Sequence, residues 1–392
     1  MNVPEERTPE NPGRGRREDA GRPGASEGRL GSGSGGAMRP AAILSEAWRN
    51  LATGTTRAAV FAIALAAVTA SLAITDARAI IALQQRAAEF IAAGASVRVL
   101  DAAGSTDGPS CEALSGLPAV GSAGAVSEGT PVTLAVMPDN PIPSYEVTPG
   151  MGEVLGVRPL SAEGVWIPTD VAEKLGLEAG RTLQTDRGPL AIAGVYDYPD
   201  DGRDSRLGYA LVIPTVAAGA FDQCWANAWP VTEEADGLIR SAVAADVDPD
   251  TSVTVGQLNT RLGASFDAAA EFSGRITRTT VPGAALAGLV LGFVAIRARR
   301  LEIAGALHVG QSRRALLATV VLETAAWSVA ALALAACALL LAVVPNNPAD
   351  PLHAFAIDIR GPAAAVPAAL AGAVVALLLI RENHLFRYFK DR

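Results

Sequence analysis

Between Arg57 and Asp76 lie eighteen residues without a charge, Ala58–Thr75, and no comparable run recurs until Thr279–Ile296. Two more follow closely, Ala315–Val344, interrupted only by Glu323, and Pro362–Ile380. Hydrocarbon offers an exposed backbone no hydrogen-bond partner, so apolar runs of this length satisfy themselves as spanning helices. The first run is long for the apolar part of a signal peptide and no clean cleavage signal follows it. One run, a long interval and then three runs define the expected fold class: a membrane protein of four transmembrane helices, with a large mixed α/β extracytoplasmic domain between the first and second. The expected segments are transmembrane helix 1 at 58–75, the external domain at 76–278, helix 2 at 279–296, helix 3 at 315–344, an external loop at 345–361 and helix 4 at 362–380.

Charge sets the orientation. The whole chain carries a formal net charge of −8, with a mean hydropathy of +0.28. That total hides an asymmetry, because residues 76–278 hold 27 acidic and 13 basic residues, a net of −14. By contrast, 297–314 carries Arg297, Arg299, Arg300, Arg313 and Arg314, and the end of the chain carries Arg381, His384, Arg387, Lys390 and Arg392. Short basic flanks stay on the cytoplasmic side. This predicts a multi-pass protein of the cell membrane with both termini cytoplasmic and the acidic domain outside. A domain so acidic lacks the positive surface that nucleic-acid binding requires.

Taken in order, residues 1–37 are rich in Gly, Pro, Glu, Arg and Ser, and are expected to be a disordered cytoplasmic tail. Met38 is an alternative start. Residues 38–57 read as an interfacial amphipathic helix, with Ile43, Leu44, Ala47, Trp48 and Leu51 on one face and Glu46, Arg49 and Asn50 elsewhere. Asp76–Ala93 keeps a helical pattern, either as a stalk rising from the membrane or as a surface helix of the domain. Strands are expected at Ser96–Asp101, Val132–Met137, Val165–Ile167, Leu190–Val195, Leu211–Ile213 and, more weakly, Val253–Val255. Thr169 or Asp170 caps a short helix that Gly180 stops. Pro367 bends or interrupts the last spanning helix. Gly288 and Gly292 form a GxxxG step suited to close helix packing.

Of the three cysteines, Cys111 and Cys224 fall in the external domain, where oxidising conditions permit a disulfide; a bridge is expected, with two buried thiols as the other reading. Cys337 lies in an apolar helix and reads as packing. The carboxylates Asp197, Asp200, Asp201 and Asp204 raise calcium binding, but their order lacks the EF-hand pattern and a solvated loop is the simpler reading. Catalytic signatures are missing: no GxxxxGK followed by Ser or Thr to cradle phosphates and no HExxH. No catalytic, cofactor-binding or metal-binding residue is therefore expected in this chain, which is not read as an enzyme.

The segment Arg297–Glu323 supplies the functional expectation. Its basic cluster at Arg299 and Arg300 is followed by Glu302 and Ile303, then by Gly310, Arg313 and Arg314, and Glu323 stands further on. This order resembles the cytoplasmic segment between the second and third helices of the FtsX/MacB-like ABC transporter permease family. Leu307, Ala304 and His308-Val309 depart from that family's usual residues. The segment Trp166–Leu183, the strand Leu190–Asp197 and the Glu-Ala-Trp-Arg-Asn-Leu entry at 46–51 resemble further parts of the family, including its MacB-like periplasmic domain. The resemblance implies a permease subunit with a coupling segment at 297–314 that docks on a separate ABC ATPase subunit. ATP would be bound by that partner, beside a second permease copy or homologue. It also implies export of a lipid or small molecule, or mechanotransmission to an extracytoplasmic protein. The coupling candidates it selects are Arg299, Arg300, Glu302, Ile303, Gly310, Arg313, Arg314 and Glu323. For Glu323 a packing or coupling contact stands beside a placement at the inner headgroups. Two other readings stay open: a mechanical regulator of an external cell-wall enzyme, and a membrane-anchored binding domain without an ATPase.

Overall fold

The computed structural model describes residues 40–247 and 249–381. The expectations for the 1–37 tail, for a start at Met38 and for the basic end at His384, Arg387, Lys390 and Arg392 lie outside the described residues.

The chain enters through α1 (Pro40–Ala52) and α2 (Ala58–Ala92). The domain then follows as β1 (Val97–Asp107), α3 (Gly108–Ala113), β2 (Val120–Glu128), β3 (Val132–Leu134), β4 (Met137–Ile142), β5 (Ser144–Val147), α4 (Met151–Val154), β6 (Val165–Pro168) and α5 (Thr169–Leu175). It continues through β7 (Thr182–Thr185), β8 (Gly188–Tyr196), β9 (Leu211–Pro214), β10 (Ala220–Ala228), α6 (Glu233–Ile239), β11 (Thr254–Gln257) and α7 (Ala268–Gly274). The chain returns to the bundle through α8 (Thr280–Ala298), α9 (Arg300–His308), α10 (Arg313–Val343), α11 (Pro351–Asp358) and α12 (Arg360–Leu378). Among the described residues, 4 helical stretches are long and apolar enough to cross a membrane: Ala58–Ala92, Ile276–Ala298, Arg313–Val343 and Pro351–Leu378. A large mixed α/β domain separates the first from the other three.

The 35 residues of α2 measure about 52 Å at 1.5 Å per residue, well beyond an apolar layer of about 30 Å. The surplus is the stretch after Asp76, so the stalk and the first span are one continuous helix. Within the span, Thr69, Ser71 and Thr75 donate to Leu65 O, Ala67 O and Ser71 O at 2.8, 2.7 and 2.7 Å, which removes the cost of carrying hydroxyls into lipid. The GxxxG step is a true contact. A Cβ on Gly288 would stand 2.2 Å from Ala365 O, one on Gly292 2.0 Å from Ala369 O, and one on Gly372 2.0 Å from Leu289 O. Glycine on both helices thus lets α8 and α12 touch backbone to backbone.

In the domain the strand order is β11-β1-β10-β2-β5-β9-β6-β8-β7-β3-β4, an 11-stranded sheet of mixed direction. β1 pairs antiparallel with both β10 and β11, and β5–β9 and β6–β8 are parallel. One core gathers Trp166, Tyr196, Val212 and Trp225; the Tyr196 hydroxyl, sealed inside it, donates to Leu207 O at 2.8 Å. A second core surrounds Cys111 and Cys224, which form a disulfide with a Cα–Cα distance of 5.8 Å, fastening α3 to β10.

The stalk meets the domain at the β11/β1 edge. Asn259 donates to Ala93 O at 2.9 Å, Arg203 to Ala92 O at 3.0 Å and Gln257 to Ala95 O at 2.7 Å, so the carbonyls freed at the end of α2 are satisfied by the domain itself. Phe90, Trp229 and Phe266 pack beneath them.

Several expectations are corrected. Val132–Met137 is not one strand but two, β3 and β4, folded into a hairpin. Gly176, at φ 64, ends α5, not Gly180, and no side chain caps its start; Thr169 instead donates to Asp197 at 2.6 Å. Pro367 lies inside α12, and the helical break falls at Ile359, between α11 and α12. The 345–361 loop holds α11, started by Pro351 after Asp350, whose side chain accepts from Leu352 N at 2.9 Å. Cys337 is exposed on α10, so it does not pack within the bundle.

Candidate functional site

The segment between α8 and α10 folds as a helix and a tight turn. α9 follows Arg299 and ends in a glycine-dependent motif: Gly310, at φ +94, donates to Leu307 O at 3.1 Å, and Gln311 N donates to Ala306 O at 3.0 Å. This crossed pair is the Schellman arrangement, in which a residue without Cβ takes the left-handed position past the helix end. Ser312 then starts α10, accepting from Ala315 N at 3.3 Å.

Behind this turn sits a buried polar junction. Glu323, 2% exposed, is on α10. It receives Asn50 Nδ2 of α1 at 2.7 Å and Arg299 Nη1 at 2.5 Å. Arg299 also grips Glu302, through Nε at 2.9 Å and Nη2 at 2.6 Å. Burial works against the Arg299 charge, but Glu302 and Glu323 more than offset it, holding the guanidinium above the ordinary arginine range. Further along, Gln311 donates to Glu46 of α1 at 3.4 Å. Glu323 therefore faces neither lipid nor headgroups. It joins three segments that are far apart in sequence, satisfying a carboxylate that would be costly in a bilayer unpaired.

The entry helix is turned differently from its sequence pattern. Ala47 is buried against α10 with Ile43, Glu46, Asn50 and Leu51 partly covered, whereas Leu44 and Trp48 stand 62% and 71% exposed. Glu46 and Asn50, assigned to the polar side, are therefore the contacts to the bundle. Leu44 and Trp48, one turn apart, form the free apolar edge of α1.

The coupling candidates divide into two groups. Arg299, Glu302 and Glu323 belong to the junction, and Ile303 is buried with Ile296, Leu316, Val320 and Leu377. Gly310, Arg313 and Arg314 are exposed, and Arg300 is partly so. Val309, beside Gly310, is 88% exposed and was not among the sequence candidates; the one signal for it is an apolar residue in an otherwise polar turn. Arg313 and Arg314 occupy the first turn of α10, where the helix dipole disfavours cations. They are thus poorly explained as helix stabilisers. Between the α1–α2 turn and α9 lies a cleft of about 420 Å³, lined among others by Thr56, Arg57, Phe61, Arg299 and Arg300.

In the α/β domain the acidic loop is internally paired. Arg203 bonds Asp201 at 2.7 and 2.9 Å, and Arg206 bonds Asp204 at 2.6 and 2.9 Å. These hydrogen bonds hold both carboxyls below their usual range. Among the described residues no group of three or more His, Cys, Asp or Glu side chains is arranged to hold a metal ion.

No family model matches the sequence, and no curated protein matches it. Solved structures distantly similar to this chain include the following three. The periplasmic region of MacB from Actinobacillus actinomycetemcomitans is 9% identical with a TM-score of 0.32, over 42% of this chain and 89% of that one. A domain of a putative permease protein from Porphyromonas gingivalis is 13% identical with a TM-score of 0.30, over 43% and 92%. The extracellular domain of the noncanonic ABC-type transporter YknZ from Gram-positive bacteria is 12% identical with a TM-score of 0.28, over 40% and 99%.

Proposed function

We propose that this chain is the membrane subunit of an ABC system, with the α9–α10 turn as the surface on which a separate ATPase acts. The observation that carries the reading is the division within that turn. Its outer face presents Val309, Arg313 and Arg314, which are exposed and do little for the fold, around the helix-ending Gly310. Its inner face is locked through Arg299 to Glu323 of α10, which also holds Asn50 of α1. A push on the outer face would be delivered to several helices together, and α2 is continuous from the bundle to the external domain. The work then reaches the outside through the stalk, as export or as force on an external protein. In this reading the exposed turn faces the cytoplasm, both termini share that side, ATP stays on the partner and a second permease copy completes the complex.

The test is co-purification in detergent with the ATPase encoded beside this gene, comparing wild type with Val309→Glu and with the double change Arg313→Glu/Arg314→Glu. These residues are exposed, so insertion and folding should survive. Capture by wild type and loss in both variants supports the docking surface. If wild type captures no ATPase, whether nucleotide-free or ATP-trapped, the chain is better read as an anchored external domain.

A further inference from the structure

The opposite end of the bundle holds a second sealed charge cluster. Asp76 of α2 and Asp358, the last residue of α11, are each 3% exposed. Arg275, on the segment returning from α7 to α8, donates through Nε to Asp76 Oδ1 at 2.8 Å. Its Nη2 also donates to Asp76 Oδ2 at 3.5 Å, and the guanidinium engages Phe272 through the carbonyl oxygen and over the ring at 3.8 Å. α11 packs on α2 here, Ala354, Phe355 and Ile359 against Ala73 and Ala77, which sets the Asp358 carboxyl beside that of Asp76. With both groups ionised, however, neither oxygen of Asp358 has a donor, although both are buried.

Two carboxylates are acceptors only and cannot bond to each other. One proton placed on either converts the same geometry into an O–H···O bond and leaves one anion opposite one guanidinium. Without it, two like charges share a dry site with a single cation, an arrangement whose desolvation the protein does not otherwise offset.

We propose that Asp76 and Asp358 form a proton-binding site, holding one proton between them, that fastens α11 to the stalk helix at the outer end of the bundle.

The surroundings leave the proton as the natural occupant. From α2 the remaining nearby charge is Arg78, from the returning segment Arg278, from α11 His353 and from α12 Arg360, and all four are exposed. The Thr277 side chain stands beside Asp76. The charged residues of α10, namely Arg313, Arg314 and Glu323, lie at its other end. Loss of the proton sets Asp358 against Asp76, and α11 then parts from α2. The site would thereby let acidity at this face of the membrane control whether the hairpin between α10 and α12 stays docked on the stalk.

The experiment is infrared difference spectroscopy on the full chain in liposomes, with aspartate isotopically labelled at its side-chain carboxyl, titrated from neutral to alkaline pH. The expected result is a label-sensitive band of a protonated carboxylic acid at neutral pH, fading as pH rises and missing from Asp358→Asn. That variant keeps the shape of the site and can donate to Asp76, so it should fold. Absence of the band in wild type at every pH overturns the proposal without reference to any variant. Persistence of the band in folded Asp358→Asn also overturns it. A third arm adds sodium at alkaline pH: if sodium raises the melting temperature of wild type but not of Asp358→Asn, and no acid band is seen, the occupant is a metal cation and the proton assignment falls.

Discussion

Arg299 and Glu323 meet in a buried ion pair across the α9–α10 turn, their side chains 12% and 3% exposed, and Asn50 from α1 completes the carboxylate's hydrogen bonds. Removing one member of such a pair strands the other. Arg299→Leu leaves the buried Glu323 carboxylate with Asn50 as its remaining partner and should lower stability by about 3–5 kcal/mol. The double change Arg299→Leu/Glu323→Leu should recover a large part of that loss. Unfolding followed by near-UV circular dichroism in detergent tests this cycle; a loss in the double variant equal to the sum of the two single losses would show that the pair is not coupled.

The contact between α8 and α12 predicts a sharp contrast among glycines. Gly292→Val drives a side chain into the Ala369 carbonyl, and overpacking of this kind costs about 1–3 kcal/mol or more. Gly305, in α9, has nothing within 4 Å of where a Cβ would stand. Gly305→Ala should instead gain about 0.5–1 kcal/mol from the removed backbone freedom. Melting temperatures of the two variants should move in opposite directions.

The Cys111–Cys224 bridge closes a loop with a sequence separation of 113. Replacing both cysteines by Ala should cost about 2–4 kcal/mol of external-domain stability. Alkylation after denaturation without reductant should modify Cys337 alone, and with reductant all three. Three labelled thiols before reduction would contradict the bridge.

Acid should loosen the loop beside the stalk. Hydrogen bonds from Arg203 and Arg206 hold Asp201 and Asp204 below the ordinary carboxylate range. The folded state therefore favours their ionised forms, and the stabilisation is present at neutral pH and lost as pH falls from that ordinary range through the lowered values. In Asp204→Asn the loss between neutral and strongly acidic pH should be smaller than in wild type. Parallel pH–stability curves for the two would remove Asp204 from the account.

The legible parts of the fold were those with a strong local signal. The apolar runs gave the spanning helices, and the β-branched segments at Val165, Leu190 and Leu211 gave β6, β8 and β9. β2, reading VGSAGAVSE, passed unseen because its small residues carry no strand preference. Their reason is tertiary: a Cβ on Gly124 would stand 2.3 Å from Met151 N, so the strand is bare where α4 lies on it. In the turn, the pattern of Gly310 and its arginines was visible, but the helix-ending geometry around Gly310 was not. Nor could spacing reveal that Asn50 and Arg299, 273 and 24 residues before it, converge on Glu323, or that Arg275 returns to Asp76 across the whole domain.

Both connections to the membrane leave the domain at the same margin, where β1 follows α2 and β11 precedes α7 and α8, while β4 lies at the far end of the strand order. The domain is a cantilever. At a strand spacing of about 4.8 Å, ten steps separate the anchored edge from the free one by up to about 48 Å, so a tilt of about 5° at the anchor would sweep the free edge by about 4 Å. Amplitude would therefore be greatest at β3 and β4, farthest from the helices that set it.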